Sequence, residues 1–524
     1  MDTYSNQYIR NSLPKQKLRF FPRKLQSMKQ QGDRVSNLPD DVLHNILSLM
    51  PMKQAIRTSI LSRRWRYLWR NRPIYALILN TTAKEFVRST SQYSQSQQQF
   101  VGAMNHYVNL NRGRDVDNFQ LFFYPGDTDI SDYETWIKFA IDGGFAGGVK
   151  VLDLDGCHHY LPFILIRGKP VEDRKPFKLP SNLFSCGYLT HLRLSRCHLN
   201  LPSNFTGLES LQALYLDRVN LDDKMLQSLL SNCQLLENLS LIECNDLDSI
   251  NISGSPNLNL KRLTVVHCYA CSLEISAPNL QSLHFNADVY DYTFNNVALL
   301  EDAIISAIGT NAYDFEYNRT KVLSEISHVK ILSVCTMVLL HIVDEAEIEQ
   351  EIELPITFPN LLELQIWMES ADYLSALDAF FTHYLFPCLE KLFIELEADR
   401  NNPRDEQTKM PMSGEVLNHV KAIKITNFNG GRQELELVQY LLEKAVILES
   451  LVLVGPKEGI EKINSEDDST TGGECDGAGV RILREQLAPL ALGKTSSNAQ
   501  VIFLEYLEDD KSLHPTHTQL YYWT

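Results

Sequence analysis

The sequence predicts an α/β protein in which a short helical head leads into a solenoid of stacked strands, a curved parallel sheet built one repeat at a time. Three observations carry this expectation: helical spacing of apolar residues between Asp33 and Trp69, a strand phrase that returns eleven times from Val149 onward, and cysteines recurring at one position of that phrase. At 524 residues the chain has room for two or more domains or for one elongated array.

The head reads DRVSNLPDDVLHNILSLMPMKQAIRTSILSRRWRYLW. Leu38-Pro39 followed by Asp40-Asp41 makes a helix entry, because proline fits the first turn and acids oppose the positive end of the helix dipole. Leu43, Ile46, Leu47 and Met50 then share one face, and Pro51 stops the helix. A second helix is expected from Met52 through Ala55, Ile56, Ser59 and Ile60. A third, from Ser62, sets Trp65, Leu68 and Trp69 on one side. So short a domain buries little area and needs support from a partner or from its own chain. The run RRWRYLWRNR also carries the arginines and aromatics of a nucleic-acid patch. That alternative accounts for Arg63 to Arg72 but not for the LPDDVLHNIL before it.

After the head, Pro73–Leu79 and Phe119–Tyr124 read as strands and STSQYSQSQQQ as a polar loop. Phe100, Met104, Tyr107 and Val108 suggest one helical face, and Trp136, Ile137, Ala140 and Ile141 another. From Val149 the phrase LxxLxL begins: VKVLDL at Val149, LTHLRL at Leu189, LQALYL at Leu211, LENLSL at Leu236, LKRLTV at Leu260 and LQSLHF at Leu280. The central residues Leu192, Leu214, Leu239, Leu263 and Leu283 lie 22, 25, 24 and 20 apart, the period of a leucine-rich repeat. Wider-spaced copies start at Val329, Leu361, Leu389, Val420 and Leu448. Each repeat supplies one strand whose alternate side chains point inward, and no repeat buries its apolar face without neighbours. Gly156–Ser185 and Asn286–Ser324 read as insertions between rungs, and the acidic run Asp344 to Glu353 as a solvated loop. AQVIFLEY at Ala499 reads as a closing strand over the last rung.

Cys157, Cys197, Cys244 and Cys268 each follow the last apolar residue of a phrase by three positions, where such repeats turn a small side chain inward. Cys268 and Cys271 also form a CxxC beside His267, but zinc would need two more ligands and none is evident nearby. His158-His159 beside Asp153 and Asp155 is a second weak metal candidate, since both aspartates are spaced for the outward side of a strand. There is no phosphate-cradling glycine loop and no catalytic constellation, so neither an enzyme nor a cofactor is expected.

Composition narrows the classes. A net charge of -16 argues against general nucleic-acid binding. Ten cysteines spread over the whole length are no disulfide framework and are expected to be reduced. The longest apolar run, Ile331 to Val343, falls short of the ~18 residues needed to span a bilayer, so no membrane role is expected. Thr3 to Gly32 holds seven Lys or Arg and no acid, which reads as a solvated tail, with nuclear targeting or transit as the alternative.

The order LPxxxLxxIL, then proline, then LSRRWRYLW resembles the F-box of plant F-box/leucine-rich-repeat/FBD proteins. The stretch VKAIKITNFNGGRQELELVQYLLEKAVILESLVLVGP resembles their FBD domain, with Gly430-Gly431 as a turn and Leu435, Val438, Leu442 and Ala445 as a helical face. The family's tryptophan and proline pair ahead of that motif has no clear equivalent. The resemblance divides the chain into a basic tail (1–31), an F-box (32–72), a linker and N-terminal part of the solenoid (73–148) and leucine-rich repeats (149–386). An FBD-like region (387–456), a mobile loop (457–479) and a C-terminal cap (480–524) complete it.

What the resemblance implies is docking on a SKP-type adaptor of a cullin–RING ubiquitin ligase, in the nucleus or cytoplasm. By position, Leu38, Pro39, Ile46, Leu47, Pro51 and Trp65 would touch the adaptor or shape that contact, while Leu43, Ile60, Leu68 and Trp69 would form the F-box core. In repeat strands, residues between the inward leucines face the concave surface, which places Arg193, Tyr215, Asp217, His284, Asn286, Trp367, Phe393 and Lys424 there. Of these, Arg193, Tyr215, Asp217, His284 and Trp367 are the candidate residues for binding a protein substrate. The alternatives are an interaction scaffold that builds no ligase and a receptor whose concave pocket takes a small ligand.

Overall fold

The computed structural model describes residues 38–48, 50, 57–68, 74–80, 101–102, 104–106, 108–109, 116–122, 130–142, 148–155, 177–202, 205–253, 258–306, 319–336, 338–339, 355–368, 373–396, 417–456, 496–506, 509 and 512–517. The chain falls into two compact units, 1–220 with 232–236, and 221–231 with 237–524.

The first unit begins with α1 (Asp40–Ser48), entered through Pro39, whose carbonyl accepts the Leu43 N–H at 3.1 Å. Leu43 and Leu47 of α1 pack on Trp65 and Leu68 of the single-turn α2 (Trp65–Leu68), with Leu38 and Met50 at the edge of the cluster. Leu43 and Leu68 therefore hold the core positions expected of them. Ile60 does not: it is 86% exposed. It ends a three-residue 3-10 turn, Thr58–Ile60, which is too short to present a face to the cluster. Pro51 and Trp69 lie outside the described residues.

Five parallel strands follow: β1 (Ile74–Asn80), β2 (Val116–Phe122), β3 (Val151–Asp155), β4 (His191–Ser195) and β5 (Ala213–Asp217). Leu77, Phe119, Leu152, Leu192 and Leu214 stand in register across them. α3 (Ile130–Asp142) buries Trp136, Ile137 and Ala140, and the Trp136 indole donates to Asn105 Oδ1 at 2.8 Å.

In the second unit ten strands run parallel in sequence order: β6 (Asn238–Ile242), β7 (Arg262–Ser276), β8 (Ser282–Asn295), β9 (Asp302–Ile305), β10 (Ile331–Cys335), β11 (Glu363–Met368), β12 (Lys391–Leu396), β13 (Ala422–Thr426), β14 (Ser450–Val454) and β15 (Gln500–Leu504). Each of the eleven phrases forms a strand. The stretch Asn286–Ser324, expected to be an insertion, instead holds the further rung β9, in which Ala303 takes the central position in register with Leu283 and Leu332. Helices α4 (Asp223–Asn232), α5 (Arg319–Glu325), α6 (Tyr373–His383) and α7 (Arg432–Lys444) lie between rungs. α7 starts at the expected Gly430-Gly431 turn, where Glu434 accepts the N–H groups of Asn429, Gly430 and Gly431 at 2.8, 2.6 and 3.1 Å. Its buried face is Leu437, Val438, Leu441 and Leu442, so Leu435 sits at the margin of the face expected for it.

A recurrent turn follows the repeat phrase in β4, β5 and β6, and interrupts β7 as a register shift between Val266 and Tyr269. Arg196, Arg218, Glu243 and His267 each take a left-handed conformation, with φ of 56, 52, 48 and 52°. The next residue is Cys197, Val219, Cys244 or Cys268, and each is buried. The three thiols donate to the carbonyl two residues back, at 3.2 Å for Cys197 and 3.5 Å for Cys244 and Cys268. Cys157 lies outside the described residues.

Candidate functional site

In the helical head, burial divides the candidate adaptor residues into two sets. Leu47 and Trp65 are core, so they shape the helices and offer no surface; Leu38 is partly buried on the same cluster. Pro39 and Ile46 are exposed. Val42, Ile60, Leu61 and Tyr67 are exposed as well, and sequence reasoning passed over them as surface residues. Val42 and Ile46 are four residues apart, one helical turn, on the flank of α1 beside Leu43 and Leu47; that spacing was the available signal. Arg64 fixes the start of α1 by donating to the Leu38 carbonyl at 2.6 Å and to Asp40 Oδ1 at 2.5 Å. One arginine of the basic run thereby acquires a structural partner.

In the strands of the first unit, the residues opposite the leucines form a polar column, Gln120, Asp153, Arg193 and Tyr215, in register. Arg193 and Tyr215 are exposed, as a binding surface requires. Asp217 is not: it is buried and accepts the Ser195 hydroxyl at 2.8 Å, tying β4 to β5. Arg193 Nε lies 3.9 Å from Asp153 Oδ1. Burial nonetheless pushes the Asp153 carboxyl up to about 6, against the pull of Arg193.

The equivalent column of the second unit is Ser240, Thr264, His284, Ile304, Ser333, Gln365, Phe393, Lys424, Val452 and Ile502. His284 and Trp367 are partly buried, and Asn286 and Phe393 are buried, so these four are less open than the sequence implied. Burial lowers the His284 imidazole to about 4, with His517 and His267 adding to the effect. From β10 onward the polar residues themselves are covered: Ser333, Glu363, Gln365 and Lys424 are all at most 4% exposed. The cover comes from the C-terminal segment. Lys424 Nζ contacts Asp509 Oδ1 at 2.6 Å, Ser512 Oγ at 2.9 Å and the Leu513 carbonyl at 2.8 Å. Thr516 N donates to Glu363 Oε1 at 2.7 Å, and His517 bridges Ser333 Oγ at 2.7 Å and Asp302 Oδ1 at 3.2 Å.

Burial raises the thiols of Cys197 and Cys233, the latter to about 12, which disfavours the thiolate needed for nucleophilic or metal chemistry. Cys268 is buried and Cys271 exposed. Among the described residues no three His, Cys, Asp or Glu side chains are grouped to hold a metal ion, and no helix is long and apolar enough to cross a membrane.

Comparison with known proteins agrees with this architecture. The family described as "At1g61320/AtMIF1, LRR domain" matches residues 165–487, more than half of the chain, and the F-box domain matches residues 35–77. An F-box/FBD/LRR-repeat protein of Arabidopsis thaliana, At1g13570, is 27% identical over 442 residues, covering 81% of this chain and 92% of its own. The putative F-box/LRR-repeat protein At5g54820 of the same plant is 23% identical over 448 residues, covering 79% and 89%. An F-box at the head, parallel leucine-rich rungs through the rest and these relatives together make the chain a member of the plant F-box/leucine-rich-repeat/FBD family.

Proposed function

We propose that this protein is the substrate-recognition subunit of an SCF-type cullin–RING ubiquitin ligase, docking on a SKP-type adaptor through its F-box and holding a target protein on its repeat strands. The observation that carries the docking half is the exposed apolar set Val42, Ile46, Ile60, Leu61 and Tyr67 around a packed four-residue core. A domain so small gains from covering such a patch. The rungs offer arginine and tyrosine at Arg193 and Tyr215, residue types that anchor protein interfaces. The chain would supply proximity and no chemistry: holding a target beside the ligase's charged ubiquitin raises its effective concentration. Residence in the nucleus or cytoplasm is part of the same proposal, and a fluorescent fusion reports it.

Co-purification tests the docking half. Ile46→Asp with Ile60→Asp places two charges on the patch without touching Leu43, Leu47, Trp65 or Leu68, and is expected to reduce adaptor recovery at least about tenfold. Full recovery by the folded double variant would exclude this surface.

A further inference from the structure

The C-terminal segment is bonded to the rung face by a series of polar contacts. Three acceptors, Asp509 Oδ1, Ser512 Oγ and the Leu513 carbonyl, surround the Lys424 ammonium, one for each of its protons. Toward β9, Thr516 N meets Glu363, and His517 meets Ser333 and Asp302. Successive strands lie ~4.8 Å apart, so the three steps from Lys424 to Ser333 span about 14 Å. The five steps from Ser512 to His517 cover that distance only when nearly extended, at ~3.3 Å each. The segment thus crosses the strands as an extended peptide, and it reads side chains on β13, β11, β10 and β9.

The surface beneath it is not built like a core. Ser333, Glu363, Gln365, Lys424 and Asp302 are groups that water satisfies when nothing covers them, so uncovering the track exposes mainly polar groups, with Phe393 and Ile304 as the apolar members of the same column. A permanent cap over the same strands would bring apolar side chains against apolar side chains. The geometry is that of a ligand seated on a site.

We propose that the track from Lys424 to Asp302 is a docking site for an extended peptide of another protein, and that Asp509 and residues 512–517 of this chain occupy it as an intramolecular competitor. The peptide class follows from the contacts: a carboxylate, a hydroxyl three residues later for Lys424, and an imidazole five residues beyond that for Ser333 and Asp302. The proposal rests on the reading of the rung face as the target-binding face, and it names the target's chemistry there. Because the competitor is tethered, only a segment at high local concentration, or one with better contacts, displaces it.

A synthetic fluorescein-labelled peptide of residues 505–518 is the probe, and the full chain is the receptor. Fluorescence anisotropy is measured with the wild type, with Asp509→Ala/Ser512→Ala/His517→Ala, and with that triple variant carrying Lys424→Met. The triple variant is expected to bind the probe at least about tenfold tighter than the wild type, and adding Lys424→Met to abolish the gain. No binding by the folded triple variant, or no loss with Lys424→Met, overturns the proposal. If the triple variant does not fold, hydrogen exchange of the wild type decides. Amides of 512–517 exchanging at least about 100-fold faster than those of β13 support a displaceable segment, and equal protection overturns it. Adaptor recovery by the same variants separates the two readings: Ile46→Asp with Ile60→Asp is expected to lose the adaptor and keep the track, and the strap substitutions the reverse.

Discussion

Burial sets the protonation of Glu395 in β12. Loss of water pushes its carboxyl from 4.5 up to about 8, and the opposing hydrogen bonds from Thr426 and Asn427 and the charge of Lys424 do not restore it. Between those two values the folded chain keeps a proton that the unfolded chain has released, so this group's contribution falls as pH rises from 4.5 to 8. Glu395→Gln is expected to flatten that slope and to raise Tm at pH 8 by about 2 °C or more, measured by calorimetry across the window. An unchanged slope would assign the pH dependence elsewhere. Asn105 illustrates a different residue-scale role: its amide oxygen takes the fully buried Trp136 indole N–H, and its amide N–H goes to Asp132 at 2.8 Å. Asn105→Ala removes the acceptor of that buried indole N–H, and a loss of about 1–3 kcal/mol in urea unfolding is expected.

The rungs share two inward residues on the strand, and β4 to β7 add a left-handed turn residue followed by a small inward side chain. Leu332, fully buried at the centre of β10, has no space to relax into, and Leu332→Ala is expected to destabilise by about 2–5 kcal/mol in denaturant melts. Arg218 holds φ at 52°, which asparagine tolerates better; Arg218→Asn is expected to stabilise by about 0.5–1 kcal/mol. This arrangement also explains what could be read in advance. Leucine phrases announced eleven strands because burial on both sides of a rung demands the same residues every time. β1 and β2 carry the spacing too, as Ile74, Leu77, Leu79 and Val116, Phe119, Leu121, but longer separations and an aromatic residue concealed the repeat. β9 was hidden because Ala303 stands where leucine was sought. Residues 505–517 have no periodicity, and their partners on the rungs lie 85 to 215 positions away, so no local signal could place them on the rung face. The same cover explains why Phe393 and Lys424, correctly placed on that face, are closed from solvent.

At the scale of the molecule, strands pair with their neighbours, so outside the rungs that the C-terminal segment ties together opening need not be all-or-none. Among the described cysteines, Cys271 and Cys388 are exposed, while Cys186, Cys197, Cys233, Cys244, Cys268 and Cys335 are buried at separate places along the array. Thiol chemistry therefore doubles as a map of local breathing. In native buffer a maleimide should mark Cys271 and Cys388 within minutes, and the others only as their own rungs part. Mass spectrometry of partly labelled chains under mild denaturant is expected to show the six buried thiols reacting in groups of sequence neighbours. A single shared rate would mean that the array opens as one body. The ladder that fills the turns is thus also a set of internal clocks, one per segment, already in place without engineering.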